Sequence, residues 1–142
     1  MKKLRVGLVG CGRIALTNHA PEMANIGTAK AEIVGLYDIK KGKAEAFAAE
    51  AKLPNATIFP SYEAMLASDI DAVIIATPNV FHCPQTLAAI KAGKHVLVEK
   101  PMAGTVAEAD RMINAAEKAG LVLQVNQTLR FIPLYVEIQK RV

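Results

Sequence analysis

Short apolar runs alternate with amphipathic stretches along the whole chain. "LRVGLVG" (4–10), "AEIVGLYD" (31–38), "TIF" (57–59), "DAVIIAT" (71–77) and "HVLVE" (95–99) are Val/Ile/Leu-rich and bounded by turn formers, which is how buried strands read. Between them lie helix-period segments. Residues 13–26 predict a helix whose middle Pro21 should kink or interrupt. Residues 40–52 put Ala44, Phe47, Ala48 and Ala51 on one face, and Pro54 stops them. Ser61 caps a short helix running through Ala67. Residues 82–92 turn Leu87 and Ile90 inward, and Gly93 supplies the left-handed terminator. Thr105 and Glu108 form a capping box opening a helix to Gly120, with Val106, Ala109, Met112, Ile113 and Ala116 inward.

The last strand, "LVLQVNQ" (121–127), differs from the others. It alternates, with Leu121, Leu123 and Val125 on one face and Val122, Gln124 and Asn126 on the other, so one face should be less covered by helix. "IPLYVEIQKRV" closes the chain as a helix with Pro133 in its first turn. Six strands alternating with helices predict an α/β fold: a doubly wound, mostly parallel sheet of the Rossmann type. In that arrangement ligands lie beyond the carboxyl ends of the strands, so the residues just after each strand carry the chemistry.

Composition narrows the picture without changing it. The 142 residues suit one domain, and 52% apolar with 21% charged residues is globular. The net charge of +4 comes from scattered lysines with no aromatic platform, which argues against nucleic-acid binding. Cys11 and Cys83 match no metal spacing, so no metal is expected, and a reduced cytoplasmic setting is. The opening "MKKLRVGLVGCGRIA" imitates a secretory leader, but Arg5 and Arg13 break its apolar run. No stretch reaches bilayer-spanning length.

Gly10-Cys11-Gly12-Arg13-Ile14-Ala15 follows the first strand and opens a helix, the context a dinucleotide fingerprint requires. Gly10 permits the tight turn, Gly12 lets the backbone approach a pyrophosphate, and Ala15 lets the helix pack on the sheet. Arg13 and Ile14 begin the helix whose free N–H groups face the phosphates. Asp38 ends the second strand, where a carboxylate accepts from both ribose hydroxyls and repels a 2′-phosphate. That favours NAD. Lys40 and Lys41 could relieve the repulsion and keep NADP open, while a helix-capping role for Asp38 stays as the plain alternative.

Thr77, Pro78 and Asn79 leave the most apolar strand on the same side and are expected to meet the ribose or nicotinamide, although Pro and Asn also simply form turns. His82 is counted on the cofactor side as a helix-start residue, since nothing near it in sequence orients it for acid–base work. Glu99-Lys100-Pro101 follows the fifth strand. Pro101 biases Lys100 toward an extended conformation. A lysine held beside a nicotinamide can hydrogen-bond a substrate hydroxyl and help move its proton; alone, it would read as a solvated turn lysine. A methyltransferase using S-adenosylmethionine shares the first turn and the acid after strand two. The sixth strand and the motifs after strands four and five weaken that alternative.

Together, "GLVGCGRIALTNH", "ATPNVFHCPQTLAAIKAGKHVLVEKPMAGTVAEA" and "LRFIP" resemble the glucose–fructose oxidoreductase and inositol dehydrogenase (Gfo/Idh/MocA) family. The resemblance implies a Rossmann unit binding NAD or NADP, followed by an α/β substrate domain for sugars, cyclitols or their derivatives. It implies a catalytic or substrate-orienting role for Lys100. It also places Gly10, Gly12, Asp38, Thr77, Pro78, Asn79 and Glu99 at the cofactor, with Asn126 near the cleft. In the family an aspartate and a histidine of the second domain work with the lysine, and the chain continues well past "RFIP". The expectation is therefore a cofactor-binding unit over 1–130 and the start of a linker helix over 131–142, inactive in this short form. Self-association through the last strand or the tail is expected too. A stand-alone dinucleotide-binding or redox-sensing module is the other reading, which leaves Lys100 without a purpose.

Overall fold

The computed structural model describes residues 3–27 and 29–141; Val142, the end of the expected terminal helix, lies outside the described residues. Six parallel strands form one sheet: β1 (Leu4–Val9), β2 (Ala31–Tyr37), β3 (Thr57–Ile58), β4 (Ala72–Ile75), β5 (His95–Val98) and β6 (Leu123–Val125). Their spatial order is β3-β2-β1-β4-β5-β6, so the chain reverses its direction of travel between β1 and β4. This is the doubly wound arrangement that strand–helix alternation predicts. The β1–β2 register slips by one residue between Val6 and Gly7, a local irregularity in an otherwise regular ladder.

Helices cover both faces. On one side lie α1 (Ala20–Ile26) and α2 (Lys43–Glu50), with Ala15, Ala44 and Phe47 buried against Leu8, Ile33 and Leu36. On the other lie α3 (Tyr62–Leu66), α4 (His82–Lys91) and α5 (Val106–Ala119), with Met65, Ala89, Ile90 and Met112 against Val73, Ile75 and Val98. Leu8, Leu36, Val73, Ile75 and Val98 are essentially sealed from water. Burying such side chains stabilises the fold by about 1.5–3 kcal/mol each.

The caps follow from local chemistry. Ser61 Oγ accepts from Ala64 N–H at 3.0 Å, and Thr105 Oγ1 accepts from Glu108 N–H at 3.2 Å. The second half of the expected box is displaced by one residue: Glu108 Oε2 accepts from Gly104 N–H, not from Thr105. At Gly93, φ is +73° and the chain ends α4 as anticipated.

The helix after the first strand is disturbed just before Pro21, where a kink or interruption is expected. It is not broken at Pro21. Ala15–His19 is π-helical, Ala20 N–H donating to Ala15 O, and α1 continues from Ala20 with Pro21 in its first turn. The wider turn accommodates a residue that has no N–H and whose ring would clash with the carbonyl four residues back. Here His19 is buried.

Two inward assignments on α5 are corrected. Met112 and Ala116 are buried, but Val106 is 78% exposed and Ile113 42%. Val106 sits in the first turn, and Ile113 lies about 100° around the helix from Met112. As expected, β6 is covered on one side only. Leu121, Leu123 and Val125 pack on the α5 side, whereas Val122 and Gln124 are exposed. The tail, with α6 at Pro133–Gln139, buries no residue, and Phe131, Leu134, Tyr135 and Ile138 are all exposed.

Met112→Ala is expected to cost about 2–5 kcal/mol. Val106→Ala should stay within about 0.5 kcal/mol. Urea titration of both variants checks the assignment of α5's inner face.

Candidate functional site

The carboxyl ends of β1, β2 and β4 are drawn together by backbone hydrogen bonds. Gly10 N–H donates to Tyr37 O at 3.0 Å, and Ala76 N–H donates to Val9 O at 2.9 Å. Gly10 has φ +88°, and a Cβ there would lie 2.7 Å from the backbone of Ala76. Only glycine permits that approach. Gly12 is different: a Cβ added to it would meet no atom within 4 Å. The fold does not require glycine at position 12, but a ligand lying against the turn would.

A groove of about 580 Å³ opens there. Gly10, Gly12, Asp38, Thr77 and Pro78 line it, and Tyr37 and Tyr62, stacked with ring centroids 6.4 Å apart, lie along it. Lys40 and Lys43 border it as well, beside the fully outward Ile39. Burial pushes the Tyr62 phenol well above its ordinary range, Glu63 adding to the effect, so the hydroxyl stays a donor, to Gln85 O at 3.0 Å. Thr77 Oγ1 donates to Gln85 Oε1 at 2.6 Å, which fixes the loop after β4.

Asp38 does not cap the next helix; Gly42 occupies that position. Its Oδ2 accepts from Cys11 N–H at 2.9 Å and its Oδ1 from Lys40 N–H at 2.8 Å. The carboxylate thus ties the glycine turn to the β2 loop at the wall of the groove, and each oxygen retains acceptor capacity. Arg13 and Ile14, on the opening turn of the helix, are exposed, as is Asn79 on the loop after β4; none of the three lines the groove.

Beyond β5 and β6 the picture changes. His82 is among the residues expected on the cofactor side. It is fully buried, with Nδ1 2.8 Å from Pro101 O and Nε2 2.9 Å from Thr77 O, so it clips two loops together from behind. Glu99 is 8% exposed and faces inward. Its Oε1 accepts from His19 Nε2 at 2.9 Å and from Asn126 Nδ2 at 2.7 Å, while Oε2 accepts from Lys100 N–H at 3.2 Å. Lys100 is exposed, and the Lys100–Pro101 peptide bond is cis.

His19 is the residue that sequence reasoning missed. The one local hint was the disturbance Pro21 imposes on its helix. No group of three or more His, Cys, Asp or Glu among the described residues is arranged to hold a metal ion. No helix among them is long and apolar enough to cross a membrane.

The reversal of strand order at β1/β4, a glycine turn with open space at Gly12 and an acid after β2 together define a dinucleotide-binding Rossmann domain. The chain belongs to the oxidoreductase family with an NAD-binding Rossmann fold (Gfo/Idh/MocA), whose model matches residues 4–127. It is 39% identical over 127 residues to a 1,5-anhydro-D-fructose reductase of Ensifer adhaerens, covering 89% of this chain and 37% of that protein. To a D-glucoside 3-dehydrogenase of Escherichia coli K12 it is 37% identical over 129 residues, covering 90% and 36%. A 3-ketoreductase of Actinomadura kijaniata, solved with NADP and TDP-benzene, superposes with a TM-score of 0.88 at 28% identity, covering 98% of this chain and 42% of that one. The chain therefore spans well under half the length of these relatives.

Burial first, and Asp38 second, push the Cys11 thiol from 9.0 up to about 12. The folded state thus holds a proton that the unfolded chain releases. The resulting stabilisation is complete below pH 9.0 and is lost as pH rises toward about 12. Between about pH 8 and about pH 10 the urea midpoint of the parent should fall more steeply than that of Cys11→Ala. Parallel curves would contradict this.

Proposed function

We propose that this chain is the cofactor-binding part of a nicotinamide-dependent oxidoreductase acting on a sugar, a cyclitol or a related hydroxy or keto compound. The observation that carries the reading is the common edge: the glycine turn, the Asp38 carboxylate and Lys100 all follow strands at the carboxyl end of one sheet. The sugar reductases and dehydrogenases among the relatives support the substrate class.

In this reading the nicotinamide supplies the hydride acceptor or donor. Gly12 leaves room for the pyrophosphate, next to the unpaired N–H groups of the helix that opens at Arg13. Asp38 accepts from the adenosine ribose hydroxyls with its remaining lone pairs, which favours NAD over NADP. The loop at Thr77, Pro78 and Asn79 borders the nicotinamide side, and the Lys100 amine hydrogen-bonds the substrate's reacting oxygen and shares its proton.

Residues 1–130 form the cofactor unit and 131–142 lead toward a second, substrate-holding domain. The exposed apolar side chains of the tail support that, since Phe131, Leu134 and Tyr135 have no cover among the described residues. The same surface supports self-association of the isolated chain. A cytoplasmic setting fits two free, buried cysteines.

Titrating the 142-residue chain with NADH and NADPH tests the reading. Saturable binding of NADH, without dehydrogenase turnover of sugars or cyclitols, is the expected result. Gly12→Val should weaken NADH by about tenfold or more with an unchanged melting temperature. Unaltered affinity would remove the glycine turn from the site.

Asp38→Ala should weaken NADH and bring its affinity closer to that for NADPH. The ratio is the telling quantity, because loosening the turn affects both nucleotides while loss of the carboxylate's repulsion helps only the phosphorylated one. An unchanged ratio would move the selector to Lys40 or Lys41.

A further inference from the structure

Glu99 is a buried carboxylate with its hydrogen bonds directed into the protein. Three donors converge on its two oxygens: His19 Nε2, Asn126 Nδ2 and the backbone N–H of Lys100. They come from three separate places, the π-helical segment, the end of β6 and the residue after Glu99 itself. An ionised carboxylate can accept all three, whereas a glutamine would present its NH₂ to at least one of the donors. Charge-assisted bonds of this kind are short and strong, and a donor left unpaired in a buried site is costly.

The network restrains one residue in particular. Lys100 has its N–H held by Glu99, and the carbonyl of the following residue, Pro101, lies 2.8 Å from His82 Nδ1. The lysine main chain is gripped on both sides, while its side chain is exposed. Asn126 is itself fixed by its N–H donating to Val98 O at 2.8 Å, so the carboxylate spans β5 and β6. His19 reaches it because the π-helical turn brings the ring inward, to 6% exposure.

We propose that His19 and Asn126 are positioning residues for Lys100, acting through Glu99. They fix the carboxylate, the carboxylate fixes the Lys100 peptide, and the peptide sets where the amine meets a bound nicotinamide. Precise placement is what such a group needs: a displacement of about 1 Å can cost about a hundredfold in rate. The inference rests on the reading of Lys100 given above.

The test follows acetylation of Lys100 by acetic anhydride, resolved by peptide mass spectrometry, with and without NADH at a concentration saturating each variant. Lys118, exposed at the far end of α5, is the internal reference. In the parent, NADH should slow labelling of Lys100 relative to Lys118 by about tenfold. In His19→Ala that protection should fall below about threefold, and His19→Gln, which keeps a donor, should restore most of it. If His19→Ala does not fold, Asn126→Ala, at a partly buried position, carries the same expectation.

A merely structural histidine would lower the melting temperature and leave the protection of Lys100 in the folded variants intact. Parent-like protection in His19→Ala or Asn126→Ala therefore overturns the inference alone. Saturable NADH binding with no protection in the parent overturns the placement of Lys100 beside the nicotinamide, and this inference with it.

Discussion

The close approach of the β1 turn to the end of β4 is the constraint on which the rest of the structure depends. The backbone at Gly10 lies so near Ala76 that a single added carbon would overlap it. This contact closes the carboxyl edge where the strand order reverses and leaves the following turn standing over the crevice. Everything with chemical potential is arranged around that edge. Asp38 reaches it from β2, Thr77 from β4 and Lys100 from β5. Parallel strands make this convergence automatic, because each one delivers its next loop to the same side.

The strands, the glycine turn and the acid after β2 were legible because each is a local signal with a local cause. Apolar runs mark strands buried on both faces, and Gly10 marks a place where a side chain would not fit. The misreadings have a different origin. Val106 and Ile113 share the period of Met112, but period does not set how wide a buried stripe is, and only packing against the sheet does. Pro21 correctly announced trouble in its helix, yet whether the chain breaks or widens into a π turn is decided by what the inner face finds to bond with. The network at Glu99 joins residues 80 apart and 27 apart in sequence. No pattern of nearby residues encodes it. The surroundings of His82 are equally non-local: Thr77 and Pro101 meet around it only after the sheet has formed.

The molecule is asymmetric about its sheet. At β2, β1 and β4 both faces are packed, one against each of two apolar clusters. At β6 the helix cover is one-sided, and the segment after it carries aromatic and aliphatic side chains into solvent. A surface of that kind is stable only at the cost of leaving apolar area wet. The glycine turn and Asp38 follow the buried strands β1 and β2.

Asp38 ties two loops together with one carboxylate, and that bears on the nucleotide role proposed for it. Both oxygens already accept backbone N–H groups, from the glycine turn and from the loop after β2. If Asp38 sets nucleotide preference as proposed, changing it therefore also disturbs the turn. Replacing the acid with alanine would take the acceptor away from both N–H groups and slacken the turn proposed to hold the phosphates. A redesign for the phosphorylated cofactor would have to supply new acceptors for Cys11 and Lys40 before adding a positive charge.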